Sequence, residues 1–503
     1  MYSGIKSANN NNIKKKNNKN KNTLIMIFVI VIIAFTPLLI SKLIPTGNKD
    51  TNHATNGKNN IGKQTGETFD YKENAVKFVE YLLEGDYEKA VEKFDDTMAK
   101  ALNEHSLKDA WEQVTTTAGK YIRQVEVRER KQDSFYIVEV VSEFENTGII
   151  TRVVFNEKGE ISGLWFNYTS IQDKSNEKGR AGNGEDGSQL GEFSEENVNI
   201  GEGEWVLPGV LTLPVGEGPF PAVVLVHGSG PHDKDETIGP NKPFKDLADG
   251  LAQRGIAVLR YDKRTLVHAS KIQNIANITV KEETIDDAIS AVELLKKDER
   301  IARDKIFILG HSLGGMLAPR IAHEIASTNE KDGIAGIIIM AGSPRRLEDI
   351  IFSQLKYFLD MDTTKSDNQK EEELRKYEEE IIRIKELDSL EYGDIKEDLY
   401  YFGIPAYYWK DLNSYDTAEL AAKIDIPILI LQGEKDFQVF TEDYELWKEK
   451  LSTKKNVTFK LYPELNHIFM EHHNKGTIED YYIPGHIPQY VIDDINSWIE
   501  SNS

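Results

Sequence analysis

"KIFILGHSLGGMLAP", Lys305–Pro319, decides how this chain is read. Its first residues, Ile306–Leu309 above all, suit a buried strand, and the residues after Ser312 suit a helix. Between them stands G-x-S-x-G, Gly310 to Gly314, the pattern of a nucleophile elbow. In such a turn the serine is held in a strained conformation with its hydroxyl exposed above a sheet. Gly310 and Gly314 are required because side chains there would strike the neighbouring strand and helix. The helix start behind Ser312 places partial positive charge where an oxyanion would form.

The elbow demands an acid and then a histidine further along the chain. Asp436 follows the strand-like "PILILQG" in "GEKDFQV", and His467 follows the next strand in "YPELNH". Glu434 is a rival acid with shorter reach round the turn. His472 and His473 are rival bases in "EHHNKG", which reads as an exposed loop. A metal reading of Glu471, His472 and His473 lacks the i, i+4 spacing of helical zinc sites, so no metal is expected.

In this arrangement His467 takes the Ser312 proton and Asp436 fixes the imidazole tautomer. The oxyanion needs backbone donors. One is Leu313, directly after the nucleophile. The other comes from "HGSGP", His227–Pro231, where Ser229 is the favoured amide and Gly228 and Gly230 let the loop approach closely. His227 reads as a structural support of that loop. "RYDKR", Arg260–Arg264, reads as a salt-bridge network beneath it, with substrate contact by Asp262, Lys263 or Arg264 as the alternative.

Outward from the elbow, apolar runs recur at 221–227, 255–261, 334–342, 426–433 and 456–463. They are continuous, as strands covered on both faces must be. Helix-like segments at 243–254, 281–298, 313–327, 440–451 and 488–501 alternate with them. The result is a doubly wound α/β domain over 195–503. "WVLPGVLTLP", 205–214, reads as an antiparallel edge hairpin. The interval 345–422 is too long for a structureless loop and carries helical periodicity, so it reads as a helical cap. Within it Tyr407, Tyr408 and Trp409 either line an acyl pocket or simply pack.

At 503 residues the chain needs more than one domain. From Tyr71 a helical pattern broken at Gly85 gives way to strand-like runs, which makes a small α+β module over 68–168. An Asn-Glu-Lys-Gly turn, 156–159, signals a hairpin between two of those runs. A Gly-, Asn- and Ser-rich linker, 169–194, joins the two domains.

The net charge is −22, although the first 23 residues carry six lysines and no acid. So acidic a body excludes nucleic acid as a partner. With no cysteine, disulfides and thiolate chemistry are excluded too. After the disordered basic residues 1–23 comes "NTLIMIFVIVIIAFTPLLIS", 22–41, without a charge. A helix of that length spans roughly 30 Å, a bilayer core. The run is longer than a signal-peptide core of about 7–15 residues and no small-residue cleavage site follows. Residues 24–44 therefore read as an uncleaved, single-pass transmembrane anchor. The lysines keep its N-terminus in the cytoplasm, and the later domains are extracellular beyond a spacer, 45–67.

From about Glu192 onward the chain resembles bacterial α/β-hydrolase carboxylesterases. The likeness rests on "LVHGSGPHDKDETIGPNKPFKDLADGLAQRGIAVLRYDKR", "GHSLGG", "ILQGEKDFQV" and "LNH". "FDDTMAKAL" and "NEKGEISGLWF" resemble a module of unknown function that precedes such hydrolases, with a nuclear-transport-factor-2-like fold. The resemblance implies hydrolysis of small carboxylic esters by Ser312, Asp436 and His467, with no cofactor. Thioesterases and peptidases share the elbow and stay open as alternatives, as does a non-catalytic surface binding protein.

Overall fold

A computed structural model describes residues 69–95, 98–99, 102–132, 135–145, 148–169, 191–272, 275, 277–328, 333–473 and 475–503. The basic N-terminus, the anchor at 24–44, the spacer at 45–67 and nearly all of the linker lie outside the described residues.

The N-terminal module begins with helices α1 (Tyr71–Glu84), α2 (Tyr87–Val91) and α3 (Glu104–Ala118). Asp70 caps α1 by accepting from Glu73 N, and Gly85 ends it in the left-handed region at φ 75°. Four antiparallel strands follow in sequence order, β1 (Tyr121–Gln132), β2 (Phe135–Phe144), β3 (Gly148–Phe155) and β4 (Ile161–Thr169). The expected Asn156–Gly159 turn joins β3 to β4, with Gly159 at φ 80°. Phe78, Leu82, Leu107 and Trp111 of the helices share one core with Val138, Val140, Ile149 and Val153 of the sheet.

The second domain is built on an eight-stranded sheet. Its strands are β5 (Phe193–Ile200), β6 (Leu207–Pro214), β7 (Phe220–Val226), β8 (Ala257–Tyr261), β9 (Ile301–His311), β10 (Gly336–Met340), β11 (Ile428–Gly433) and β12 (Val457–Tyr462). Their spatial order is β12-β11-β10-β9-β7-β8-β6-β5. Only the pairings of β6 are antiparallel. The edge hairpin therefore exists, but "WVLPGVLTLP" supplies only its inner strand. The outer strand is β5, "FSEENVNI", which begins at Phe193. Its Glu195 pairs with buried Arg260 and its Glu196 with Arg300.

The inner strands are apolar on both faces because helices cover both. On β10, Ile337, Ile338 and Ile339 are fully buried, each contributing roughly 1.5–3 kcal/mol. Helices α4 (Pro243–Ala252) and α5 (Asp286–Lys297) follow β7 and β8, with a π-helical turn, Lys281–Ile285, leading into α5. Helix α6 (Leu313–Thr328) follows β9. The cap comprises α7 (Leu347–Met361), α8 (Asp367–Glu386), α9 (Ala406–Leu412) and α10 (Thr417–Lys423). Helices α11 (Thr441–Lys450) and α12 (Gln489–Ser501) complete the domain. The chain reverses winding direction at β7, which sits between β8 and β9. Ligands bind at the carboxyl ends of strands beside such a switch.

Among the described residues no helix is long and apolar enough to cross a membrane.

Candidate active site

Ser312 stands between β9 and α6 with φ 54°, a left-handed conformation rare for a residue with a side chain. Its N–H donates to Met340 O at 2.9 Å, and its carbonyl accepts from Met316 N at 3.0 Å. The two glycines explain how the turn closes. A Cβ on Gly310 would lie 2.1 Å from Gly314 O, and one on Gly314 would lie 2.2 Å from Val226 O. Both obstacles are backbone, so the strand, the helix start and the neighbouring strand meet only through bare Cα positions.

The structure brings Asp436 and His467 together. His467 Nδ1 lies 2.7 Å from Asp436 Oδ2, and both residues are buried. An N–H at Nδ1 leaves Nε2 as the basic nitrogen. Asp436 Oδ1 accepts from Gln438 N and Val439 N at 2.7 and 2.9 Å, and Oδ2 also accepts from Gln432 Nε2 at 3.0 Å. The carboxylate is thus aimed by three donors besides the imidazole. The rival Glu434 is exposed. His472 pairs with Asp480, and His473 sits at the surface beside Glu464. Among the described residues no group of three or more His, Asp or Glu could hold a metal ion.

Ser312, Leu313, Ser229 and His467 line one cavity of about 140 Å³. Leu313 opens α6, so its N–H has no intrahelical acceptor. On the facing loop the Gly228 N–H is already used, donating to Glu236 Oε1 at 2.7 Å. Three carbonyls of that loop are also held: Gly228 by Lys263 Nζ at 2.8 Å, Ser229 by His232 Nε2 at 2.7 Å and Gly230 by the Thr265 hydroxyl at 3.1 Å. A Cβ on Gly228 would lie 3.2 Å from Ser312 Cβ, so the loop passes directly over the nucleophile. Gly230 takes φ 91°, which only glycine adopts freely.

His227 props the loop from beneath, through Nε2 to Asp233 O at 3.0 Å. Burial pulls its pKa down to about 3, so it stays neutral. Burial also lowers His232. Beneath them lies the network expected of "RYDKR". Lys263 pairs with Glu283 at 2.8 Å, Arg264 with Asp287, and Asp262 accepts from Lys234 N at 2.8 Å.

A second buried pair was not apparent in the sequence. His311 Nδ1 lies 2.9 Å from Glu236 Oε2, an ion-pair approach whose angle falls short of a good hydrogen bond. Burial alone would lower His311, but the Glu236 carboxylate outweighs it and raises the pKa. Glu236 goes the other way. Burial would raise it, yet His311 and the neighbouring histidines bring it to about 2.

The aromatic trio of the cap packs and does not line this cavity. Trp409 is fully buried and donates to Tyr401 O, Tyr408 donates to Glu283, and Tyr407 donates to Tyr392 O and Ile395 O. The apolar wall comes from α7 instead, through Leu347, Ile350, Ile351 and Phe358, with Phe437 and Ile478 opposite. Those α7 positions are spaced i, i+3, i+4 and i+11, one helical face, which was the available signal.

Residues 75–164 match the family described as a protein of unknown function, DUF3887. Residues 218–357 match the serine aminopeptidase S33 family, and residues 392–484 match the dienelactone hydrolase family. Esterase EstD of Thermotoga maritima is 34% identical over 429 residues, covering 85% of this chain and 95% of that one. Solved structures align less closely. The Pyrococcus furiosus esterase Pf2001 is 14% identical over 62% of this chain and 91% of its own, with a TM-score of 0.36. Est1E from Butyrivibrio proteoclasticus is 17% identical over 61% of this chain and 98% of its own, with a TM-score of 0.39. Scores this low carry no weight. The identity to EstD over nearly its whole length does: the chain belongs to the α/β-hydrolase family of carboxylesterases.

Proposed function

We propose that this chain is a membrane-anchored serine esterase that cleaves small carboxylic esters through an acyl-enzyme on Ser312. The observation that carries this reading is the 2.7 Å contact between His467 Nδ1 and Asp436 Oδ2, in the wall of the same cavity as Ser312. His467 Nε2 takes the hydroxyl proton as Ser312 Oγ attacks the ester carbonyl. The Leu313 and Ser229 N–H groups receive the oxyanion. Collapse expels the alcohol, which leaves with the proton from His467. Water then repeats the sequence on the acyl-enzyme and releases the acid. Asp436 stabilises the transient imidazolium without taking its proton.

A cavity of about 140 Å³ with apolar walls favours small, uncharged acyl groups. The test is turnover of p-nitrophenyl esters of graded acyl length by the chain and by Ser312→Ala. Turnover on short acyl groups that disappears in the variant, with the fold intact, supports the reading. An unchanged rate in the variant ends it. Fluorophosphonate labelling of Ser312 without ester turnover would move the activity to a peptide or thioester.

Residues 24–44 are read as the anchor, with the catalytic domain outside the cell. Support comes from the 20 uncharged residues between Lys21 and Lys42 and the lysines that precede them. The module before the hydrolase is read as a nuclear-transport-factor-2-like spacer, supported by helices packed on a four-stranded antiparallel sheet. Residues 67–503 alone should be soluble and active. Insolubility of that fragment would contradict the placement of anchor and spacer.

A further inference from the structure

We infer that Lys263 is a positioning residue for the oxyanion hole, fixing the Gly228–Ser229 peptide so that the Ser229 N–H points at the developing charge. The inference rests on the serine-esterase reading above, with Ser229 as one of the two donors.

The geometry begins with the peptide itself. Gly228 C=O and Ser229 N–H belong to one planar trans unit, so they point in opposite directions. Whatever fixes the carbonyl also fixes the N–H. Lys263 Nζ donates to Gly228 O at 2.8 Å from beneath the loop. The N–H is thereby turned to the other side, the side of the cavity that Ser229 and Ser312 both line. Among the described residues the Ser229 N–H has no acceptor. A cation on the carbonyl oxygen also polarises the amide and makes its N–H a stronger donor.

Lys263 is itself held. Only 2% of it is exposed, and Nζ lies 2.8 Å from Glu283 Oε1. Glu283, also buried, sits on the π-helical turn Lys281–Ile285. Such turns insert one extra residue into a helix and often mark functional positions. The other oxygen, Oε2, accepts from the Tyr408 hydroxyl of cap helix α9 at 2.5 Å. Three buried groups thus connect the cap to the carbonyl behind the oxyanion donor. Burying an ammonium and a carboxylate is costly, and an apolar pair of equal size would often be as stable or more so. A specific task for the charge accounts for its retention here. The adjacent carbonyl, Ser229 O, is held by His232, so the peptide on each side of the donor is fixed.

The test uses Lys263→Met and the double variant Lys263→Met/Glu283→Gln in the full chain. The double variant leaves no uncompensated charge buried, so it gives the reading where the single variant fails to fold. Losing one oxyanion donor typically costs about 10²–10³ in rate. The expected result is a kcat reduced roughly 10²-fold with KM changed less than about threefold. The affinity for a trifluoromethyl ketone, whose adduct with Ser312 carries the oxyanion, should weaken by the same factor. Lys263→Arg, which keeps a cation near the carbonyl, should recover at least about tenfold of the loss. A folded variant that keeps kcat within about threefold overturns the inference. So does a fall in kcat that leaves ketone affinity unchanged, since general loosening would act that way. Absence of Ser312-dependent turnover in the parent would instead remove the esterase reading, and this inference with it.

Discussion

His311 Nε2 donates to the main-chain carbonyl of His467 at 2.9 Å, so the residue before the elbow serine carries the backbone of the histidine paired to Asp436. On its other side His311 faces Glu236, whose second oxygen accepts from Gly228 N. One buried pair therefore sets three segments against one another: the strand end that presents Ser312, the loop of His467 and the loop of Ser229. Glu236→Gln keeps the acceptor for Gly228 and removes the charge. Breaking a buried pair at one partner costs about 3–5 kcal/mol. Urea unfolding of the variant should show a loss of that order, and a shift below about 1 kcal/mol would mean that the pair does not hold the loops.

Asp436→Asn should lower kcat by roughly 10⁴ while the protein stays folded. The reason is local. The two backbone donors at Oδ1, Gln438 N and Val439 N, require an oxygen there. The asparagine NH₂ is then forced to the Oδ2 position, facing His467 Nδ1. It turns the imidazole to the tautomer with its proton on Nε2, which cannot accept one from Ser312. Steady-state kcat beside a thermal unfolding scan checks this. A loss below tenfold would count against Asp436 as the orienting acid.

Gly314→Ala should destabilise the domain by about 3 kcal/mol, the upper range of overpacking. Its Cβ would press on Val226 O at 2.2 Å and His227 O at 2.7 Å, and neither can move without dragging β7. Gly333→Ala is the control, since among the described residues nothing lies within 4 Å of that Cβ. Equal unfolding temperatures for the two variants would show that the elbow tolerates a side chain.

Stability should be greatest near pH 6.5 so far as the buried histidines govern it. His227 is held down at about 3 by burial. Below its ordinary value of about 6.5 the unfolded chain takes up a proton that the native chain refuses, so stability falls with falling pH. By pH 4.5 the loss from His227 alone is about 2–3 kcal/mol. His232, lowered by burial, acts in the same sense. His311 has the opposite sign. Its raised pKa gives stability that is complete below about 6.5 and is lost as pH rises through the folded value. Urea midpoints at pH 4.5 and 6.5, followed by activity, should differ less in His227→Asn than in the parent. Equal differences would mean that His227 is not the buried neutral group.

Much of this was legible because the relevant signals are local. The strands show as runs such as "GIIIM", which must be apolar on both faces. Helix α7 follows from one apolar stripe, and the elbow from five residues in a row. What stayed hidden depends on partners distant in sequence. Glu236 sits in "DKDETIG", which reads as a solvated charged loop, yet it is 1% exposed because His311 supplies its counter-charge. Glu283, the buried partner of Lys263, shares that property. Strand β5 was missed because "FSEENVNI" is polar along most of its length, as an uncovered edge position permits. Tyr407–Trp409 could not be assigned between wall and core, since an aromatic cluster has the same composition in either place.

The polar character of that outermost strand also bears on how the enzyme behaves in quantity. An open sheet edge is a template onto which another copy can add. Here the exposed backbone of β5 runs beside Glu195 and Glu196, each fixed by an arginine of its own chain. A second molecule approaching strand to strand would bring its own two carboxylates against them. That edge thus offers a second copy no apolar stripe to bury, only charges already paired within their own chain, and concentrated preparations of the catalytic domain should resist growing into fibres from that side.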